Sequence, residues 1–174
     1  MTLHEALLTY FQGEKVEALV FILPLGLLSL VFGTWLILDG REAFMRGMAL
    51  PCLVFGAVLA VAGGTAGFRT PAQVERLELA LEQAPAPALV AEIQRMDKVN
   101  RNWSRYVAAY VFMAVLGLGL RLGFRTEFAH GLAAALVLFA GVGFVIDGFA
   151  ERRAMAWTET LQQAAYEGQG EEAD

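Results

Sequence analysis

Four long apolar blocks constrain the fold of this chain more than any other feature of its sequence. Ala18–Leu38 carries no charged residue over 21 positions, and Gly47–Phe68 carries none over 22. A helix needs about 20 apolar residues to cross the hydrocarbon core of a bilayer, so both blocks qualify as membrane spans. The composition agrees, because 57% of the residues are hydrophobic and only 18% are charged. In a water-soluble domain roughly half of the residues are apolar and roughly a quarter are charged.

The third and fourth apolar blocks are shorter. Tyr106–Leu120 has 15 uncharged residues, or about 22 Å of helix. Arg105 and Arg121 bracket it, and their long stems can reach the headgroups from within the bilayer. The fourth block gives a full span over residues 128–150, with Asp147 near one end. We therefore predict an all-α integral membrane protein, a four-helix bundle whose surroundings are the lipid bilayer.

The distribution of Lys and Arg predicts the orientation of these spans. Nine basic residues precede span one, separate spans two and three, or follow span four, whereas four lie in the two short loops on the other side. Basic residues favour the cytoplasmic side of a membrane. The pattern thus predicts a multi-pass protein with both termini and the central polar segment in the cytoplasm.

A repeated phrase indicates internal duplication. "REAFMRGMAL" returns 84 residues later as "RTEFAHGLAA", which aligns Phe44 with Phe128 and Gly47 with Gly131. Chance matching of apolar blocks is the alternative, but the shared element lies at the external turn, outside the apolar stretch. The repeat favours two tandem, parallel helical hairpins related by a pseudo-two-fold axis along the membrane normal.

The polar segments predict short cytoplasmic helices. Thr2 and Glu5 fit a capping box at the start of an amphipathic helix, and Thr70 and Pro71 fit the opening of another. The prolines from Ala84 onward should break that second helix. Together these patterns divide the chain into an amphipathic helix (1–13), a transmembrane hairpin (14–69), a cytoplasmic helical hairpin (70–105), a second transmembrane hairpin (106–150), a cytoplasmic amphipathic helix (151–166) and a disordered acidic tail (167–174).

Small residues within the spans are candidates for helix packing. Helices in lipid associate where small side chains let their backbones approach. The same glycines fit a dimer surface, although packing within one chain is the favoured interpretation. The candidate packing residues are Gly56, Gly63, Gly64, Gly67, Gly119, Gly123 and Gly141.

Catalytic, metal-binding and cofactor-binding patterns are not found in the sequence. His4 and His130 lie far apart, the single cysteine, Cys52, is inside span two, and no basic nucleic-acid footprint is present. Asp147 is the one acidic residue that is a candidate intramembrane polar group, and such groups are functional hypotheses by default. The favoured alternative places Asp147 at the cytoplasmic headgroup level. We therefore expect a protein that is not an enzyme and holds no metal or cofactor.

Several phrases resemble a known family. "YFQGEKVEALVF", "AEIQRMDKVNRNW" and "DGFAERR" are similar to segments of a family of small four-span bacterial inner-membrane proteins. The resemblance covers most of the chain apart from the tail, and it carries no established activity. It implies a bacterial inner-membrane location. It also implies that members of the family occur as immunity partners of secreted antibacterial toxins. The candidate partner-binding residues lie in and beside the second phrase: Arg95, Met96, Asp97, Lys98 and Trp103.

Three functional hypotheses follow. The first is a non-enzymatic interaction protein, specifically an immunity protein that neutralises a toxin acting in the membrane or the cytosol. The second is a small channel or transporter that acts as a homodimer and has Asp147 in a wet cavity. The third is a membrane enzyme or cofactor-binding subunit, which a bound haem or quinone would reveal.

Overall fold

The computed structural model describes residues 2–171 of the chain, and the surroundings of side chains as far as residue 168. Within this range every regular element is helical. The elements are α1 (Leu3–Val16), a π-helical stretch (Glu17–Ile22), α2 (Leu23–Asp39), α3 (Ala43–Gln83), α4 (Pro85–Gly123) and α5 (Glu127–Glu171). α1, the π-helical stretch and α2 run on as one helix, and each of the four resulting long helices is apolar and long enough to cross a membrane.

A proline accounts for the π-helical stretch. Pro24 has no N–H to donate to the carbonyl of Val20, and its ring would collide with that carbonyl in a regular α-helix. The chain widens instead, and the N–H of Leu23 donates to the carbonyl of Ala18, five residues back. The capping box predicted upstream is confirmed: the N–H of Glu5 donates to Thr2 Oγ1 at 3.2 Å, and the N–H of Thr2 donates to Glu5 Oε2 at 2.8 Å.

The four long helices pack in a simple pattern. α2 packs along α3, α4 packs along α5, and the two pairs meet where α3 contacts α5. That contact includes a very close reciprocal crossing. A Cβ added to Gly47 would lie 2.9 Å from the carbonyl carbon of Phe128, and a Cβ added to Gly131 would lie 2.9 Å from the carbonyl carbon of Phe44. The two backbones therefore touch at equivalent positions of the repeated phrase.

Glycine packing between α2 and α3 agrees in part with the prediction. Added Cβ atoms at Gly56 and Gly63 would lie 2.9 Å from the N of Leu30 and 2.6 Å from the N of Leu23, and one at Gly67 would collide with Leu19. At Gly64 the nearest atom is 4.0 Å away. The reason is geometric, because each step of four residues rotates the position by about 40° around the helix. Alternating steps of four and three stay on the contact face.

For three glycines in the second pair of helices, packing within the chain was predicted wrongly, and their alternative role at a dimer surface stays a prediction. Added Cβ atoms at Gly119, Gly123 and Gly141 have nothing within 4 Å, because these residues face away from the bundle. The close contacts fall instead on Gly117, whose Cβ would lie 3.0 Å from the carbonyl oxygen of Ala133, and on Gly143, beside Tyr110.

Several predicted helix boundaries also differ from the structure. α3 does not restart at Pro71 but passes through it, since lipid-embedded and bundled helices tolerate a proline when neighbouring groups bond the freed carbonyls. The carbonyl freed by Pro71 is that of Gly67, four residues back. The hydroxyl of Thr70 donates to the neighbouring carbonyl of Ala66 at 2.7 Å. The break at Ala84 is confirmed, and α4 begins directly at Pro85. α5 continues to Glu171, so the predicted disorder of the tail is wrong for residues 167–171, and residues 172–174 lie outside the described range.

The polar ends of the long helices form a bundle of their own, which we call the extension bundle (residues 3–16, 70–105 and 151–168). Its core contains the apolar faces predicted for each segment, including Leu7, Met96 and Leu161, none more than 1% exposed. Val90 and Met155, two large apolar residues of the same segments, are exposed instead. The buried core residues are Ala6, Leu7, Tyr10, Phe11, Met96, Ala154, Trp157 and Leu161.

Candidate binding chamber

A buried polar cluster organises the extension bundle. Glu92 is 6% exposed and accepts hydrogen bonds from Arg95 Nε at 2.8 Å and Arg95 Nη2 at 2.6 Å. It also accepts one from Trp157 Nε1 at 3.0 Å. The Arg95 guanidinium lies over the rings of Tyr10 and Phe11, 5.9 and 5.6 Å from their centroids. A buried carboxylate is tolerated when it is paired and hydrogen-bonded, so this cluster joins three helices at one point.

The candidate partner-binding residues separate into two groups. Met96 is fully buried in the core of the extension bundle, whereas the side chain of Arg95 is 35% exposed and is engaged by Glu92. Asp97 and Lys98 are exposed, and Asp97 pairs with Arg101 at 3.6 Å. Trp103 is half-buried beside the same core.

A cavity of about 270 Å³ lies where the extension bundle meets the apolar part of the helices. We call it the chamber. α1, the π-helical stretch, α3, α4 and α5 all contribute to its wall, so it lies inside the bundle and not on one helix. The polar side chains on its wall are Tyr10, Glu14, Glu17, Arg69, Arg95, Asn102, Trp103, Tyr106, Asp147 and Arg153.

Most charges on the chamber wall have partners on another helix. Glu17 forms a short ion pair with Arg153, and Glu14 lies 3.9 Å from Arg69. Asp147 accepts a hydrogen bond of 2.5 Å from the hydroxyl of Tyr110. The structure thus places Asp147 on the wall of a cavity and against α4.

Three polar atoms on this wall are buried without a hydrogen-bond partner. They are the acceptor Glu14 Oε2 and the donors Trp103 Nε1 and Arg153 Nε. They come from three different helices, α1, α4 and α5, yet their side chains all line the same chamber. Buried polar groups in proteins are nearly always bonded to protein or water, and each exception calls for an explanation. The side chains that carry one unpartnered acceptor and two unpartnered donors therefore line the same cavity.

Burial also changes the ionisation of these groups. It raises the pKa of the Glu14 carboxyl, against the opposing effect of Arg95, Arg69 and Arg153, and it lowers the pKa of Arg153. Burial raises the pKa of the Tyr10 phenol as well. Both Glu14 and Arg153 are thus incompletely compensated charges, which a ligand carrying the opposite charges would stabilise.

The π-helical stretch supplies part of the chamber wall. Glu17, Ala18 and Ile22 all line it, while Ala18 and Leu23 touch the backbone of α3 at Gly63. Irregular π-helical turns occur frequently at functional sites, because the widened turn re-aims side chains. Pro24 therefore affects the shape of the chamber wall as well as the geometry of the helix.

Sequence inspection singled out Arg95, Trp103 and Asp147, which line the chamber, but not the other residues that build this region. Glu14, Glu92 and Arg153 read as solvated charges at helix ends. One signal was present for Glu92, which lies four residues before Met96 and four after Ala88 and therefore shares their buried face. Trp157 lies in the segment predicted as an amphipathic helix, and its hydrogen bond to Glu92 had no sequence signal.

Among the residues that the structure describes, no cluster of three or more His, Cys, Asp or Glu side chains is arranged to hold a metal ion. His4 pairs with Glu78 at 3.5 Å, whereas His130 lies near the carbonyl of Phe124 at 3.0 Å. No protein-family model, curated protein or solved structure matches the chain. The family resemblance therefore stays a prediction.

Proposed function

We propose that this chain is a multi-pass membrane protein of two tandem helical hairpins, with its termini and extension bundle in the cytosol of a bacterium. Four helices long and apolar enough to cross a membrane support the insertion. The contacts of Gly47 with Phe128 and of Gly131 with Phe44 support the tandem arrangement, since a two-fold rotation axis between the hairpins makes these two contacts equivalent. The excess of basic residues on one side supports the orientation.

The topology has a direct test. Single cysteines at Asp97 and at Phe124, introduced into a Cys52→Ala background, should differ in reaction with a membrane-impermeant maleimide on intact cells. Phe124 is 55% exposed at the far end of α4 and should react, whereas position 97 should react only after lysis. Labelling of position 97 on intact cells would overturn the orientation.

We further propose that the protein acts by binding, with the chamber as its site for a small ligand that is both hydrogen-bond donor and acceptor. The observation that carries this proposal is that the side chains of Glu14, Trp103 and Arg153, each with one buried polar atom that has no hydrogen-bond partner, line one cavity. A ligand that accepts from two of these atoms and donates to the third removes three desolvation costs of about 1–3 kcal/mol each. Binding at a cytosolic, membrane-level site is compatible with a sensor, a scaffold or an immunity protein.

Ligand-dependent stability tests the binding proposal. Purified protein in detergent is heated with the water-soluble or the lipid fraction of a bacterial extract. A ligand present at 100 times its dissociation constant stabilises the folded state by about 2.7 kcal/mol, which raises the unfolding midpoint. Trp103→Phe should remove the rise, while Trp35→Phe, an exposed tryptophan of α2, should keep it. No rise with either fraction refutes the proposal.

The resemblance supports one specific biological role, immunity against a secreted antibacterial toxin. The exposed Asp97 and Lys98 are then the candidate contacts, because Met96 is buried in the core and Arg95 is engaged by Glu92. Co-expressing a neighbouring toxin gene with and without this chain tests the role. Unchanged killing removes it, and protection lost in an Asp97→Ala and Lys98→Ala double variant supports it.

A channel or transporter formed by a homodimer is the second candidate. The placement of Asp147 on a cavity wall favours it, since an acidic group in a water-filled space is typical of ion paths. Against it, Cys52, Ala135 and Phe139 pack as a closed apolar cluster between α3 and α5. Ion flux through protein-containing liposomes, lost in Asp147→Asn, would support the candidate, and silent liposomes would remove it.

A further inference from the structure

A second cavity lies beside the chamber. It is a groove of about 480 Å³ between the first long helix and α5. The groove lies where α2 and the π-helical stretch pack on α3 and their backbones stay apart from that of α5, which the stretch reaches through the Glu17–Arg153 ion pair. Its floor and sides are apolar: Phe21, Val145 and Phe149 line it and are each more than half exposed. In a bilayer, such a surface is covered by lipid chains.

Two charged residues belong to both cavities. Glu17 and Arg153 line the groove and the chamber alike, so their ion pair forms the boundary between them. Gly13 permits this arrangement, since a Cβ there would lie 2.7 Å from Arg153 Cδ and 2.9 Å from Arg153 Nε. An occupant of the groove therefore presents its end to Arg153 and to the chamber behind it.

The side chains that carry the unpartnered atoms, Glu14, Trp103 and Arg153, line the chamber and define the chemistry of that end. Glu14 Oε2 requires an N–H or O–H donor, and the negative charge of this buried carboxylate favours a donor that is a cation. Arg153 Nε and Trp103 Nε1 require acceptors, and Arg153 favours an anion. A headgroup with both a primary ammonium and a phosphate supplies all three. A quaternary ammonium has no N–H to donate, and a glycerol headgroup has no cation.

The two volumes fit an elongated amphiphile. Sites for whole small ligands usually occupy about 300–1,000 Å³, so a chamber of about 270 Å³ suits a headgroup. The groove of about 480 Å³ suits part of an acyl chain and opens on the lipid-facing side.

We propose that the groove and chamber together hold one phosphatidylethanolamine-type phospholipid, with its ammonium at Glu14, its phosphate at Arg153 and Trp103, and an acyl chain along Phe21, Val145 and Phe149. This inference rests on the binding function proposed for the chamber and names its ligand class. A bilayer lipid reaches the site laterally through the groove, so no opening to the cytosol is required.

Lipid retention measures the proposal. Protein is reconstituted in nanodiscs of phosphatidylcholine mixed with equal parts of phosphatidylethanolamine and phosphatidylglycerol, then released from the discs in a mass spectrometer. We expect phosphatidylethanolamine to be retained at least tenfold over the other two, which corresponds to about 1.4 kcal/mol. Glu14→Gln and Arg153→Gln should each return the retained lipids to the bulk ratio.

Matched controls separate the site from general effects. Arg152→Gln alters the neighbouring exposed arginine and should keep the enrichment. Val145→Trp fills the groove and should abolish it, whereas Val115→Trp changes a similarly exposed valine of α4 outside the groove and should not. Helix content and unfolding midpoint are recorded for every variant, and Arg153→Lys, which keeps the charge, should retain part of the enrichment if Arg153→Gln fails to fold.

Each outcome decides the proposal. Equal retention of the three lipids by the wild type overturns it, and so does enrichment of phosphatidylglycerol, which would show that no ammonium site exists. Enrichment unaffected by Glu14→Gln and Val145→Trp places the lipid elsewhere and also overturns it. If the extract stabilises the protein but phosphatidylethanolamine is not enriched, the chamber binds another ligand and the proposed function stands. If neither occurs, both fail.

Discussion

The crossing of α3 and α5 gives the sharpest prediction about the fold. Ala at Gly47 or at Gly131 places a Cβ 2.9 Å from a carbonyl carbon of the facing helix. Ordinary contacts at that position begin near 3.4 Å, and the carbonyl oxygen bonded to that carbon lies closer still, so the helices must separate by more than half an ångström. A gap of about 0.5–1 Å forfeits a quarter to a half of each atom pair's attraction of about 0.1–0.2 kcal/mol. Over a few tens of atom pairs this is about 1–3 kcal/mol, the usual cost of overpacking.

The assay is denaturant unfolding in mixed micelles, followed by circular dichroism. Gly47→Ala and Gly131→Ala should be destabilising by similar amounts, because their surroundings are equivalent. The double variant should cost less than the sum, since the first substitution already separates the helices. Gly119→Ala and Gly141→Ala are the matched controls: their added methyls meet nothing within 4 Å. Two results would refute the close reciprocal contact. One is that Gly47→Ala and Gly131→Ala are as stable as these controls, and the other is that the double variant costs the full sum of the two single variants.

Three further predictions concern the extension bundle and the chamber, and unfolding free energies measure all of them. Glu92→Ala should cost about 3–5 kcal/mol of unfolding free energy, because it leaves Arg95 and Trp157 without their buried acceptor. Asp97→Ala, which breaks an exposed pair, should cost less than about 1 kcal/mol. Equal costs for the two variants would contradict the buried cluster. Trp157→Phe should cost about 1.5–3 kcal/mol through the lost hydrogen bond to the carboxylate, and Trp35→Phe, which is half exposed, should cost much less; the same value for both would show that the bond adds nothing. Burial raises the pKa of Glu14 above its ordinary 4.5, so the folded state binds more protons than the unfolded state from pH 4.5 up to the raised value. The stability of the wild type relative to Glu14→Gln should therefore fall as pH rises through that window and stay level above it, and a difference that rises with pH would reverse the sign of the shift.

Much of the helical architecture could be predicted from the sequence, because long uninterrupted apolar blocks predict helices long enough to cross a membrane. The four apolar blocks all lie in the helices that are long enough to cross a bilayer, and the capping box at Thr2 and the break at Ala84 depend on local chemistry that is readable in a few letters. The continuity of the helices was not readable. Pro71 signals a helix start in water, yet in the folded chain α3 passes through it, with Thr70 bonded to the preceding turn.

The contact glycines show where a local pattern stops being informative. Gly56, Gly63 and Gly67 fit spacings of three and four and do touch another helix, but Gly119 and Gly123 fit a spacing of four equally well and touch nothing. Spacing fixes only that residues share a face. Which face meets a neighbour depends on the whole bundle. Here α4 packs mainly against α5 and makes only a shorter contact with α3.

The chamber follows from the same global property, because its wall requires parts of the chain that are far apart in sequence. Glu17 and Arg153 form their pair across 136 positions, and neither has a local partner that would have marked it. Pro24 links this pair to the backbone: it disfavours a regular turn, and the π-helical stretch before it holds Glu17 and Ala18 on the chamber wall. One extra residue in that stretch rotates everything before it by about 100° relative to α2. α1 can therefore face the extension core through Leu7 and Phe11 while α2 faces α3 through Gly26 and Gly33. A proline inside the first apolar block thus lets one continuous helix serve two differently oriented bundles, and the chamber lies where those orientations change.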